Sequence, residues 1–132
     1  MRRHLISYGV AAAVFLLLDA TWLTVMTPVL YRPAIGHLMR EDFDVLAAVA
    51  FYAIYLAGVV FFVVESAVDG RRALLRGALF GFVCYATYDL TNQATVPQWP
   101  WRVTIADLCW GTFVTSMASW AAFRAISRSA RP

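Results

Sequence analysis

The stretch YATYDLTNQATVPQWPW, residues 85–101, decides how the chain is read. Tyr85, Tyr88, Asp89 and Asn92 recur at i, i+3, i+4 and i+7, the spacing of one helical face. An apolar run leads into this stretch from Ala73, and a second begins just after Trp101. Between them, Pro97 and Pro100 end one helix and permit a tight turn. The segment is therefore the polar end of an apolar helix, a short turn, and the start of the next helix. It raises the question of why a helix suited to lipid carries an acid and an amide on one face.

Working outward, four stretches have the length a bilayer requires, about 20 residues at 1.5 Å each. They lie near residues 5–27, 45–65, 73–95 and 102–124. No apolar run alternates with period two, which argues against a barrel. Only 14% of residues are charged while 61% are apolar. A soluble domain carries about 25% charge, so a membrane protein is the better reading. The expected fold is all-α, a four-transmembrane-helix bundle forming a single integral membrane domain over residues 1–132. The longest connection is an outer loop of about 17 residues, Pro28 to Asp44. The N-terminus begins like a signal peptide, but Leu18-Asp19-Ala20 is a poor cleavage site and the apolar pattern continues to Met26. An uncleaved first helix is expected.

All basic side chains other than the two histidines are arginine, and they sit at the ends of apolar runs. They form no contiguous basic face, so nucleic acid is not an expected partner. Arg2, Arg3, Arg71, Arg72, Arg76, Arg124, Arg128 and Arg131 fall on one side of the bilayer, and Arg32, Arg40 and Arg102 on the other. This bias predicts an inner (cytoplasmic) membrane protein with both termini and the 66–72 loop in the cytoplasm. Trp99 and Trp101 then suit the outer headgroup belt. Cys84 and Cys109 read as small buried residues, with no disulfide or metal-ligand spacing. Gly77 and Gly81 form a GxxxG pair that lets a neighbouring backbone approach, within the chain or across a dimer.

Three aspartates lie inside the proposed spans. Asp19, Asp89 and Asp107 are each about five to eight residues from the outer end of their helix, roughly 8–12 Å deep. Tyr52 and Tyr55 on the second helix share a face near the same level, as do Tyr88 and Asn92 beside Asp89. Trp22 follows Asp19 by three residues and Trp110 follows Asp107 by three. That spacing places an indole N–H on the face of each carboxyl group. Every helix thus contributes to one polar layer.

The energetics make the layer informative. An Asp near a helix centre costs about 2.5–3.5 kcal/mol on the insertion scale, while each Leu, Ile, Phe or Val returns about 0.3–0.6. The first helix has enough such residues to carry Asp19. The third, with Asp89, Asn92 and Arg76, needs the rest of the bundle around it. Interhelical polar contacts average only about 0.6 kcal/mol, so three acids are inefficient glue. Acids at this depth are expected to face the interior, share protons, and keep at least one of the three protonated at neutral pH. Such a layer can relay protons or hold a hard cation. Zinc or iron is not expected, since His4 and His37 lie outside the spans, and no cofactor is implied. Asp19-Ala20-Thr21 before Pro28 echoes Asp89-Leu90-Thr91 before Pro97, a faint sign of an internal repeat.

The block Tyr88-Asp89-Leu90-Thr91-Asn92-Gln93-Ala94-Thr95, then Trp99-Pro100, then Asp107-Leu108-Cys109-Trp110-Gly111 resembles a small bacterial family. It is the predicted inner-membrane family termed domain of unknown function 2177. Asp19-x-x-Trp22, Phe51-Tyr52-x-x-Tyr55 and Gly77-Ala78-Leu79-Phe80-Gly81 are similar to it as well. The resemblance spans nearly the whole chain and implies a four-helix integral membrane protein. It implies no activity and assigns no catalytic residues.

The leading functional expectation is a small carrier or proton-linked permeation protein. Asp19, Asp89 and Asp107 are its protonatable or substrate-contacting groups, with Asn92, Tyr52, Tyr55, Tyr88, Trp22 and Trp110 around them. Its partners are the lipid bilayer and a small-molecule, ion or lipid substrate, and a homo-oligomer suits so short a chain. An enzyme or accessory factor acting on lipid is the first alternative, with Asp as general acid or base. A lateral opening would favour it, and a vestibule from the outer face would favour transport. A non-catalytic assembly partner is the second, and predicts a closed, fully hydrogen-bonded layer.

Overall fold

A computed structural model describes residues 1–129, and every described residue is in a helix, a turn or an irregular connection, with no strand. Helix α1 (Arg2–Met26) continues through a π-helical turn, Thr27–Tyr31, into the short α2 (Arg32–Ile35). Helix α3 (Val45–Gly58) runs on as a π-helical segment, Val59–Val64. Helices α4 (Gly70–Thr95) and α5 (Trp101–Ser129) complete the chain. Arg131, counted among the cytoplasmic arginines, lies outside the described residues.

Two helical starts are set by aspartates. The Asp44 side chain accepts from the Ala47 backbone N–H at 3.0 Å and caps α3. Asp69 does the same for Arg72 at 2.7 Å and caps α4. Each cap satisfies a donor that the first turn would otherwise leave open. Asp44, the last residue of the expected loop, is thus a helix start.

The expected outer loop from Pro28 to Asp44 needs correction, because its first part is helical. Pro28 and Pro33 sit in the first turns of the π turn and of α2. A proline ends a helix only where its missing N–H or its ring conflicts with the preceding turn, and first-turn positions avoid this. The wider π turn takes up the mismatch. Helical structure therefore extends as far as Leu38.

Helix α5 lies at the centre of the molecule. It packs closely on α4, on α1 and on the Val59–Val64 segment. The α4–α5 seam is made of small residues: Gly77 and Gly81 face Gly111, Thr115 and Ser119. A Cβ at Gly77 would lie 2.9 Å from the Thr115 carbonyl oxygen, so the backbones are already in contact. The GxxxG pair is used within the chain. Ala11 and Phe15 of α1, Val59 and Val64, and Val114, Ala118 and Ala122 of α5 are fully buried and form the core.

Two helical stretches, Arg2–Leu38 and Val45–Val64, are long and apolar enough to cross a membrane. Helices α4 and α5 miss that mark although both exceed 25 residues. Their composition explains this. Helix α4 carries Arg71, Arg72, Arg76, Asp89, Asn92 and Gln93, and α5 buries Thr104, Asp107, Thr115, Ser116 and Ser119. The turn joining them also differs from expectation. Trp99 is buried, its indole N–H bonded to Thr104 Oγ1 at 3.1 Å, and its carbonyl accepts from Gln93 Nε2 at 2.8 Å. It locks the turn instead of reaching a headgroup belt, whereas Trp101 is exposed.

Candidate functional site: a carboxylate-floored cleft

Four helices bring their polar residues to one place. The α1 stripe Ser7, Ala11, Phe15 and Asp19 repeats every four residues and faces inward, so Asp19 is buried at its C-terminal end. The α5 stripe Thr104, Asp107, Gly111 and Thr115 has the same logic and brings in Asp107. Asp89 of α4 is completely buried.

The three acids have distinct surroundings. Asp19 accepts from two donors: Tyr52 Oη on Oδ2 at 2.6 Å and Trp110 Nε1 on Oδ1 at 3.0 Å. Asp107 Oδ1 accepts from the Tyr31 hydroxyl, which itself accepts from Trp22 Nε1 at 2.8 Å. Both Asp89 side-chain oxygens are buried without a hydrogen-bond partner, on the side of α4 that neighbours Asp107.

The tryptophans act crosswise. Sequence spacing puts Trp22 beside Asp19 and Trp110 beside Asp107, yet Trp110 serves Asp19 and Trp22 reaches Asp107 only through Tyr31. The cause is their mutual stacking where α1 and α5 meet, with ring centroids 4.5 Å apart and planes 8° from parallel. Stacked in this way, the indole of Trp110 aims its N–H at the neighbouring helix instead of back along its own.

These groups form the floor and walls of a cleft of about 590 Å³. Asp19 and Asp107 lie at its polar base with Tyr52, Trp22 and Trp110. Tyr55, Tyr85 and Tyr88 line it as well, and Tyr55 is bonded to Thr115 at 2.7 Å, not to an acid. Asp89 sits behind Asp107 and does not line the cleft. Asn92, one turn beyond Asp89 on α4, is also outside it. The remaining walls are apolar, with Phe51 and Met39 partly exposed at the rim. Near Gly58, α3 touches Phe80 of α4, and further out the two helices leave the cleft between them.

Sequence reasoning missed Tyr31, which it assigned to a loop. The signal was available: Pro28 and Pro33 at first-turn spacing permit the helix to continue and return a tyrosine to the acids. Both cysteines are free, with Cys84 on the cleft wall and Cys109 exposed. Among the described residues no three His, Cys, Asp or Glu side chains are grouped as metal ligands.

A family model described as "Predicted membrane protein (DUF2177)" matches residues 4–124. No curated protein and no solved structure matches the chain.

Proposed function

The chain belongs to the DUF2177 family of predicted membrane proteins, and on that premise we propose that it spans the bilayer four times and acts as a small carrier or proton-linked permeation protein. The four-span part is supported by an inside-out distribution of residues. Thr104, Asp107, Thr115 and Ser119 are buried, while Leu75, Leu79, Phe82, Leu90, Ile105 and Phe113 are exposed. Water would reverse that arrangement and hydrocarbon favours it. The arginine bias supports an orientation with both termini in the cytoplasm, as in an inner-membrane protein.

The observation that carries the carrier reading is an accessible cleft floored by two aspartates that no cationic side chain neutralises among the described residues. Ionisable groups inside a membrane protein mark substrate or proton paths more often than they mark glue. Asp19 and Asp107, which line the cleft, are the substrate-facing groups, and Asp89, buried beside Asp107, is the proton-holding one. Four spans leave little room for alternating access, so two copies are the proposed working unit.

The test is proton flux into liposomes holding the purified chain, read with a pH-sensitive dye. Asp19→Asn, Asp89→Asn and Asp107→Asn are compared with the wild type. Folded variants with flux lowered tenfold or more support the reading, by analogy with losses of about 1.4 kcal/mol or more in barrier height. Folded variants with unchanged flux remove it.

A second reading, an enzyme or accessory factor acting on lipid, is favoured by the apolar rim at Phe51 and the exposed Tyr88, where an acyl chain can enter from the side. Covalent change of a labelled phospholipid in the same liposomes would select it. A purely structural assembly partner has less support, since its polar layer would be sealed.

A further inference from the structure

The chemistry of the cleft narrows what it takes. Its floor is anionic, with Asp19 and Asp107, and no lysine, arginine or histidine lines it. The donors that face the acids are already engaged. Tyr52 and Trp110 donate to Asp19, and Tyr31 donates to Asp107. The Tyr85 and Tyr88 hydroxyls also line the cleft and remain unengaged, but an anion or a phosphate still meets two carboxyl groups and no basic side chain. A neutral apolar molecule fills the walls but leaves the carboxylates without a counter-charge.

The walls supply the second half. The stacked indoles of Trp22 and Trp110, the ring of Phe51 and the phenols of Tyr55 and Tyr85 surround the space above the acids. Aromatic faces carry negative potential and attract cations, and they bind organic ammonium groups where water is scarce. The Asp89 carboxyl, fully buried near Asp107 with neither oxygen hydrogen-bonded, adds a further acid without a cationic side-chain partner next to the cleft, although it does not line it. A bare metal ion is a poor match, because the described residues group no three ligating side chains and the cleft, at about 590 Å³, is far larger than one ion. That volume falls among the roughly 300–1,000 Å³ pockets that hold drug-sized molecules.

We propose that the cleft is an aromatic–carboxylate cage for a lipophilic organic cation, an ammonium- or phosphonium-type ion with an apolar body that enters past Phe51 and rests its charge over Asp19 and Asp107. This assignment rests on the carrier reading and gives it a substrate class.

The test uses the full chain in detergent micelles. Tetraphenylphosphonium is titrated while tryptophan emission is followed, and binding is checked by equilibrium dialysis. Tetraphenylborate, of the same shape and opposite charge, is the control. The expected result is saturable binding of the cation with a change in indole emission, and no saturable binding of the anion. Asp19→Asn and Asp107→Asn each weaken the cation by about tenfold or more, as loss of a partly desolvated charge partner predicts. Phe51→Ala, at an exposed rim position, weakens it several-fold without lowering the melting temperature. Should either Asp variant fail to fold, the cation–anion contrast and Phe51→Ala decide. Equal binding of both ions, or cation binding untouched by these changes, overturns the proposal. Proton flux by wild-type liposomes without cation binding rejects the ligand class and leaves the carrier reading standing. Absence of both rejects both.

Discussion

At the scale of single residues, the Asp19 carboxyl is held by one donor on each oxygen, so removing a donor has a defined effect. Tyr52→Phe keeps the ring and deletes the 2.6 Å bond to Oδ2. Hydrogen bonds to charged groups contribute about 1.5–3 kcal/mol, and Tyr52 is only partly buried, so a loss near the lower end is expected in detergent melts. The glycines offer a sharper contrast. A Cβ at Gly81 runs into the Gly111 carbonyl, whereas one at Gly9 meets nothing within 4 Å. Gly81→Ala is expected to destabilise by about 1–3 kcal/mol through overpacking. Gly9→Ala is expected to be neutral or to stabilise by about 0.5–1 kcal/mol, since glycine is the poorer helix former. Thermal unfolding followed by circular dichroism measures both, and equal effects at the two sites would contradict the described seam. Gln98 adopts a φ of 62°, in the left-handed region that favours glycine. Gln98→Gly relieves that strain at the cost of a freer unfolded chain, so a change within about 1 kcal/mol is expected in the same melts.

At the scale of elements, the π turn Thr27–Tyr31 sets the angle at which Tyr31 meets Asp107. Tyr31→Phe keeps the ring in place and deletes the hydroxyl that joins Trp22 to Asp107. Tryptophan emission is expected to shift while the helical circular dichroism signal persists. An unchanged emission spectrum would count against the Trp22–Tyr31–Asp107 chain. The cap at Asp69 is a second element-scale case: Asp69→Ala leaves the Arg72 N–H open and is expected to lower stability by about 1 kcal/mol. Much at this scale is readable from apolar run lengths, which put helices close to where they are seen. The reach of α1 past Pro28 is not, because a proline after an apolar run reads as a stop unless its first-turn tolerance is weighed. The crossed tryptophans are also hidden. Spacing along one helix says which face a side chain occupies, but stacking between α1 and α5 decides where its N–H points. Asp19 and Asp107 are legible as interior groups because carboxyls in an apolar run have nowhere else to go. Asn92 misleads for the opposite reason: one turn beyond Asp89, it is close enough to the helix end to stay half-buried outside the cleft.

At the scale of the whole molecule, the proposed four spans predict topology. Reporter fusions after residue 1 and after residue 129 should fall on the same side as single cysteines placed at Ser66 or Asp69. Cysteines at Glu41 and Gln98 should label from the other side. A fusion pattern with termini on opposite faces would reduce the count of spans and remove the shared layer with it. The architecture also divides the molecule into unequal parts. Helices α4 and α5 are fused along their glycine seam, and α1 is packed onto α5, while α3 meets α4 mainly through the Val59–Val64 segment below Gly58. Above that level, Tyr52 to Asp19 and Tyr55 to Thr115 are hydrogen-bonded ties on α3, with Tyr8 to the Ala53 carbonyl as a weaker third at 3.3 Å. A guest that takes the lone pair of Asp19 Oδ2 now engaged by the Tyr52 phenol displaces that phenol, whereas one that rests only its charge nearby leaves it in place. Filling the chamber and keeping its side wall fastened therefore compete at a single oxygen atom only for a hydrogen-bonding guest, and the chemistry of the guest decides whether the latch opens.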